Sequence, residues 1–183
     1  MFHYILDYNY IFIYKVNMVE VILNENEQKI VEYIAKKRYK SARDKGFVNM
    51  KISNESNEEI DLRGFGAEFA FCKWENAYPS FITGKTDKAD CIASDGTRID
   101  IKATDRINGN LLVPITKKIN DVDVYFLVVK ISNEKFNIVG YEDSKNVICK
   151  DAYDRHQNDS RFKGEGYVVY QEDLFEIKEE KIY

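Results

Sequence analysis

From Val124 to Val129 the chain reads V-Y-F-L-V-V, a run with no polar face. A half-exposed strand alternates apolar and polar residues, so a run that is apolar throughout is expected of a central strand covered on both faces. Strands are expected at roughly 88–93, 97–104, 111–115, 121–131 (which contains this run) and 136–141, arranged as an antiparallel meander. Asn108-Gly109, between Ile107 and Leu111, is a strong hairpin signal inside it. G-Y-V-V-Y-Q, from Gly166, reads as a final strand.

Two helices are expected before the sheet. Asn24 stands as an N-cap with Glu27 three residues on, a capping-box arrangement, and Ile30, Val31, Ile34 and Ala35 lie on one helical face. Gly46 suits the C′ position. Residues 47–60 read as a polar loop. From Asp61 a second helix is expected, closed by Pro79. Gly64 precedes Glu68 by one turn on the same face, which suggests that the start of this helix presses against the sheet. A short helix is expected around E-D-S-K-N-V-I-C-K, and the tail E-E-K-I-Y is expected to be solvated. The fold class is therefore α/β in an α+β arrangement: a central mixed sheet with an antiparallel meander, flanked by helices.

The chain has 183 residues, 44% of them hydrophobic and 14% aromatic, which fits one folded domain and excludes a disordered chain. The domain is placed at 18–183. Residues 1–17, dense in Tyr, Phe and Ile, form an N-terminal extension, read as an added strand or as sequence after an upstream start. They lack the basic opening of a signal peptide and are too short and polar to span a bilayer, so no membrane partner is expected. Cys72, Cys91 and Cys149 are odd in number with no CxxC pair, which fits reduced thiols in a cytoplasm. His3 and His156 alone cannot furnish a histidine-rich zinc site, and His156, in D-R-H-Q-N-D-S-R, is expected in solvent.

Charge is uneven. Seven Lys/Arg lie between Lys29 and Lys45 against Glu32 and Asp44, in a chain whose net charge is −4. Cations near a helix C-terminus oppose the macrodipole, but seven exceed that role. Lys36, Lys37, Arg38, Lys40 and Arg43 are accordingly candidates to track a nucleic-acid backbone.

The chemistry concentrates in K-A-D-C-I-A-S-D-G-T-R-I-D-I-K, Lys88 to Lys102. A two-residue Asp95-Gly96 turn would oppose Asp90 to Ile101. A three-residue loop Ser94-Asp95-Gly96, with Gly96 in the left-handed region, opposes Asp90 to Asp100 and Lys88 to Lys102. The second register also gathers Ala89, Cys91, Ile99, Ile101 and Ala103 on one buried face, and is the one expected. Two opposed carboxylates repel unless a proton or a cation lies between them. With Glu68 added from the helix, three oxygen donors suit Mg²⁺, and Lys102 stands on the same face as Asp100. The tripeptide [DE]xK occurs five times, at Glu27, Asp100, Asp143, Glu176 and Glu179. Only Asp100 has an aspartate opposite it in a hairpin.

A helix glutamate followed by Asp-X(9)-Asp-X-Lys resembles the PD-(D/E)XK nuclease superfamily, the restriction-endonuclease-like fold. N-E-Q-K-I-V-E-Y-I-A-K-K-R, D-L-R-G-F-G-A-E-F-A-F-C-K, K-A-D-C and D-I-K-A-T-D-R-I-N-G-N-L-L are similar to small phage-type nuclease-like proteins over most of Met18 to about Tyr141. Ala89 stands where the family name has proline, and no Gln-X-X-X-Tyr helix follows. The resemblance implies a DNA endonuclease using Mg²⁺ or Mn²⁺, with Glu68, Asp90 and Asp100 as metal ligands and Lys102 as catalytic lysine. Thr104 and Arg106 are candidates for phosphate contact. Double-stranded DNA is the implied partner, in a host cytoplasm if the chain is phage-encoded, and a homodimer stays open. A catalytically silent nucleic-acid-binding or inhibitory module, and an RNA-cleaving nuclease, stay open beside it.

Overall fold

The computed structural model describes residues 18–46, 56–81, 88–162 and 164–177. The extension 1–17, most of the expected loop after Gly46, and the tail from Lys178 lie outside them. Strand β1 (Val19–Ile22) leads into helix α1 (Glu25–Asp44) and helix α2 (Asn57–Glu75). Strands β2 (Cys91–Ile92), β3 (Arg98–Thr104), β4 (Leu111–Pro114), β5 (Val124–Lys130) and β6 (Lys135–Asp143) follow. Helices α3 (Ser144–Val147) and α4 (Lys150–Asn158) and strand β7 (Gly166–Val169) complete the order.

Both long helices start as their caps dictate. Asn24 accepts from the Asn26 and Glu27 amides while Glu27 reaches back to the Asn24 amide, and Gly46 takes φ +76° just past the end. α2 begins earlier than expected, because Ser56 and Glu59 form a second capping box inside what reads as loop. It ends on Asn76 in the left-handed region, before Pro79 is reached.

The main sheet has the order β1-β6-β5-β3-β2, with β3 parallel to β5 and the other pairs antiparallel. It is the expected mixed sheet flanked by helices, but the meander is interrupted. After the turn at Asn108-Gly109 the chain leaves the sheet, and β4 pairs with β7 in a two-stranded sheet of its own. β5 explains this. Phe126 and Val128 face α2, whereas Tyr125, Leu127 and Val129 face the other way and need a cover of their own. Leu111 and Val113 of β4 and Val169 of β7 provide it. Pro114, which has no amide to donate, is tolerated in so short a ribbon. β1 was not expected as a strand; it pairs along β6, Val19 opposite Ile138. Among the described residues no helix is long and apolar enough to cross a membrane.

The close helix–sheet approach lies at Gly66, not at Gly64. A Cβ on Gly66 would come within 2.7 Å of the Phe136 ring, whereas one on Gly64 would meet nothing within 4 Å. Phe136 is 1% exposed and cannot yield easily. Gly66→Val is therefore expected to cost roughly 2–3 kcal/mol by overpacking. Gly64→Ala should gain about 0.5–1 kcal/mol from helix propensity. Urea unfolding of the two variants checks the opposite signs.

His156 departs from its expected place in solvent. Residues 150–158 form α4, which turns the ring inward, where it is 7% exposed and stacks on Phe162 with centroids 5.1 Å apart. Burial pulls its pKa below the ordinary 6.5, with Asp159 opposing. The unfolded chain therefore binds the extra proton more readily, so this contribution is present above about pH 6.5 and is lost as pH falls. In urea unfolding the drop in stability from about pH 7.5 to 5.5 should be smaller for His156→Phe than for the wild type.

Candidate active site

The hairpin carrying the two aspartates has the three-residue loop. Cys91 lies opposite Ile99 and Ile92 opposite Arg98. Gly96 has φ +89°; its amide donates to the Ala93 carbonyl at 2.9 Å, and the Ala93 amide donates to the Thr97 carbonyl at 2.9 Å. Asp95 accepts from the Thr97 amide at 2.9 Å and stiffens the turn. Cys91, Ile99 and Ile101 are buried, with Ala103 packed against them as expected, while Ala89 packs into the cluster on the opposite face.

The ladder is short. β2 stops at Cys91, and beyond it the Asp90 amide donates to the Ile99 carbonyl at 2.8 Å. The Asp90 carboxylate accepts from the Ile101 amide at 2.8 Å, which fixes it along β3 beside Asp100. Lys88 lies past the end of the paired segment. It does not face Lys102; its ammonium binds Asp121 at 2.6 Å.

Asp100 is 1% exposed. It points to the face of β3 that also carries Tyr125 of β5, its partner in the ladder. Its two oxygens take two ammoniums: Lys102 on one, and Lys117, at 2.5 Å, on the other. Lys117 also donates to the Lys88 carbonyl at 3.3 Å, which ties the loop after β4 to the start of the hairpin. The Lys102 ammonium lies 5.8 Å from the centre of the Tyr125 ring, where cation–π attraction adds to its hold. Burial raises the Tyr125 hydroxyl pKa, and the Asp100 charge adds to this, so the phenol stays protonated.

Glu68 comes from the middle of α2. The Arg38 guanidinium of α1 binds both its oxygens, at 2.9 and 2.7 Å, donates to the Ser80 carbonyl at 2.7 Å, and stacks 4.4 Å over the Phe65 ring. Burial raises the Glu68 pKa to about 8, with the Asp90 charge adding to the rise and Arg38 opposing it. Asp90 is raised as well, first by burial and then by Asp100, while Lys102 opposes. The three carboxylates thus act on one another electrostatically. Among the described residues, however, no three His, Cys, Asp or Glu side chains already stand where one metal ion could join them.

The basic stripe of α1 divides in two. Lys36, Lys37 and Lys40 are exposed. Arg38 serves Glu68, and Arg43 turns in toward Asp61 at 3.8 Å with its guanidinium 5.3 Å from the Tyr39 ring centre. Thr104 accepts from the Arg106 amide at 3.2 Å, and Arg106 projects into solvent at the following turn. Cys72, one turn beyond Glu68, hydrogen-bonds with Cys91; that contact and burial raise its pKa, so it offers no thiolate.

Lys117 is the site residue that sequence reasoning misses. Its signal is weak, one of two adjacent lysines in a loop, and only the return of that loop over β3 brings it to Asp100. No protein-family model matches the chain, and no curated protein matches it.

Proposed function

We propose that the chain is a Mg²⁺-dependent endonuclease that hydrolyses phosphodiester bonds in DNA, built on the PD-(D/E)XK plan. The observation that supports this most is Asp100: a carboxylate removed from water, held between Lys102 and Lys117, with the Asp90 carboxylate bound to the next backbone amide.

The donors suit a hard divalent cation. Burial and the Asp100 charge drive Asp90 toward its protonated form, and a cation shared by the two aspartates would reverse that. Asp90 and Asp100 would hold Mg²⁺ or Mn²⁺, with Glu68 joining them on release from Arg38. An ion held there would supply a water of lowered pKa and neutralise charge on the phosphate. Lys102, fixed against Asp100, presents an ammonium to the attacking water and to the charge that develops on the phosphoryl oxygens. Asp100 positions both lysines. Arg38, by pairing with Glu68, opposes the burial that would keep that carboxyl neutral.

Nicking of supercoiled plasmid tests the reading. The wild type should nick in Mg²⁺ or Mn²⁺ and not in EDTA, and Lys102→Ala should lose at least about a hundredfold. Nicking that persists in Lys102→Ala, or in EDTA, would sink the mechanism.

A second reading draws on the same contacts. Glu68 already has Arg38, and Asp100 already has two lysines, so the site is neutralised without a metal. Such a site suits a silent nucleic-acid-binding or inhibitory module. Calorimetric titration with Mg²⁺ separates the two: no heat of binding, alongside retained DNA binding, selects the module.

A further inference from the structure

A cleft of about 270 Å³ opens beside Lys102, and neither Asp90 nor Asp100 lines it. Its cations come from separate parts of the chain: Arg63 from α2, Lys102 from β3, Arg106 from the turn after β3, and Arg161 from the loop after α4. Nothing in the local sequence pairs these residues. The fold gathers them in a chain whose net charge is −4.

Two of the arginines are held in place by neighbouring acids. Arg63 lies 3.6 Å from Asp105, and Arg161 is forked onto Asp159, with Nε donating to both carboxylate oxygens at 2.9 Å. Arg106 is exposed, and among the described residues no carboxylate pairs with it. Its position is set by the tight turn from Arg106 to Gly109, with Ile107 and Asn108 at its centre. The Gly109 amide donates to the Arg106 carbonyl at 2.9 Å, and a Cβ on Gly109 would meet Thr104 at 2.6 Å. Leu112 and Leu127 give the cleft an apolar floor.

The geometry points to a nucleotide-binding cleft for one strand of nucleic acid, with Arg63, Arg106 and Arg161 on the phosphates that flank the bond facing Lys102. The inference rests on the proposed nuclease reading for what Lys102 faces. Its binding part stands on the cleft alone. A cationic rim over an apolar floor matches a phosphate joined to a sugar and base, and a recess of about 270 Å³ is sized for one unpaired nucleotide. The expected ligand is therefore single-stranded or frayed nucleic acid. None of the exposed lysines of α1 lines this cleft.

Fluorescence anisotropy of a labelled oligothymidylate, measured on the full chain in EDTA, tests this without requiring catalysis. Arg106→Glu and Arg161→Glu, both exposed positions, should each weaken binding by about tenfold or more and flatten the salt dependence by roughly one phosphate contact. Lys145→Glu, at an exposed position that does not line the cleft, should leave the affinity within about twofold, and unlabelled duplex should compete less well than the single strand. The inference is overturned if the oligonucleotide does not bind, if Lys145→Glu weakens binding while the arginine variants do not, or if duplex competes equally well. Arginine-dependent binding without plasmid nicking would overturn the nuclease reading and leave the cleft standing. Nicking with binding unaffected by the arginines would do the reverse.

Discussion

Asp100→Asn is expected to lower Mg²⁺-dependent nicking by ~10³-fold or more while the protein stays folded. The substitution keeps the shape of the side chain and removes its charge. That charge has two duties in the proposed site: with Asp90 it would hold the ion, and it fixes the ammoniums of Lys102 and Lys117. Losing both together places the effect at the upper end of what a single electrostatic group contributes. The cost to stability should stay within about 1–2 kcal/mol, because both lysines are partly exposed and can turn toward water. Nicking rates beside a thermal melt decide the matter. A variant that melts normally and nicks at the wild-type rate would remove Asp100 from the mechanism.

Phe71→Ala should produce the largest loss of stability, about 3–5 kcal/mol, and lower Tm by roughly 10–15 °C. Phe71 is fully buried, its ring centre 4.6 Å from that of Phe126 on β5 and 5.4 Å from that of Trp74 one turn along α2. Those contacts fasten α2 to the sheet, and Glu68 lies one turn before Phe71. Nothing of comparable size can fill the space, since the neighbours are themselves held by Val128 and Ile101 of the same core. Tyr78→Ala serves as the control; that side chain is 84% exposed, and its loss should change stability by no more than ~0.5 kcal/mol. A Phe71→Ala melt within about 3 °C of the wild type would show that α2 is held elsewhere.

What could be read from the sequence follows the range of the interactions. Caps and turns are local, so Asn24 with Glu27 and the Ser94-Asp95-Gly96 loop were legible from a handful of residues. The apolar run of β5 announced a strand covered on both faces, but not what covers it. That role fell to β4, which the Asn108-Gly109 turn seemed to assign to the same sheet. The individual acids of the site were legible because the hairpin register is set by its turn. Their partners were not. Arg38 and Glu68 are thirty residues apart, and Lys117 reaches Asp100 across a whole strand and two turns. Arg38 looked like a surface cation because α1 alone gives no sign that one of its faces meets the carboxyl of another helix.

The position of β1 sets a constraint on how the chain matures. Its hydrogen-bonding partner is β6, with Val19 opposite Ile138, so the earliest strand of the sheet among the described residues waits for the last strand of that sheet. β3 likewise lacks its parallel neighbour until β5 has been made. Pairings between such distant segments close slowly, because a long loop must be ordered before any contact repays it. The nascent chain therefore carries its hairpin early and its complete sheet late. Asp100 is removed from water only when synthesis has passed most of the domain.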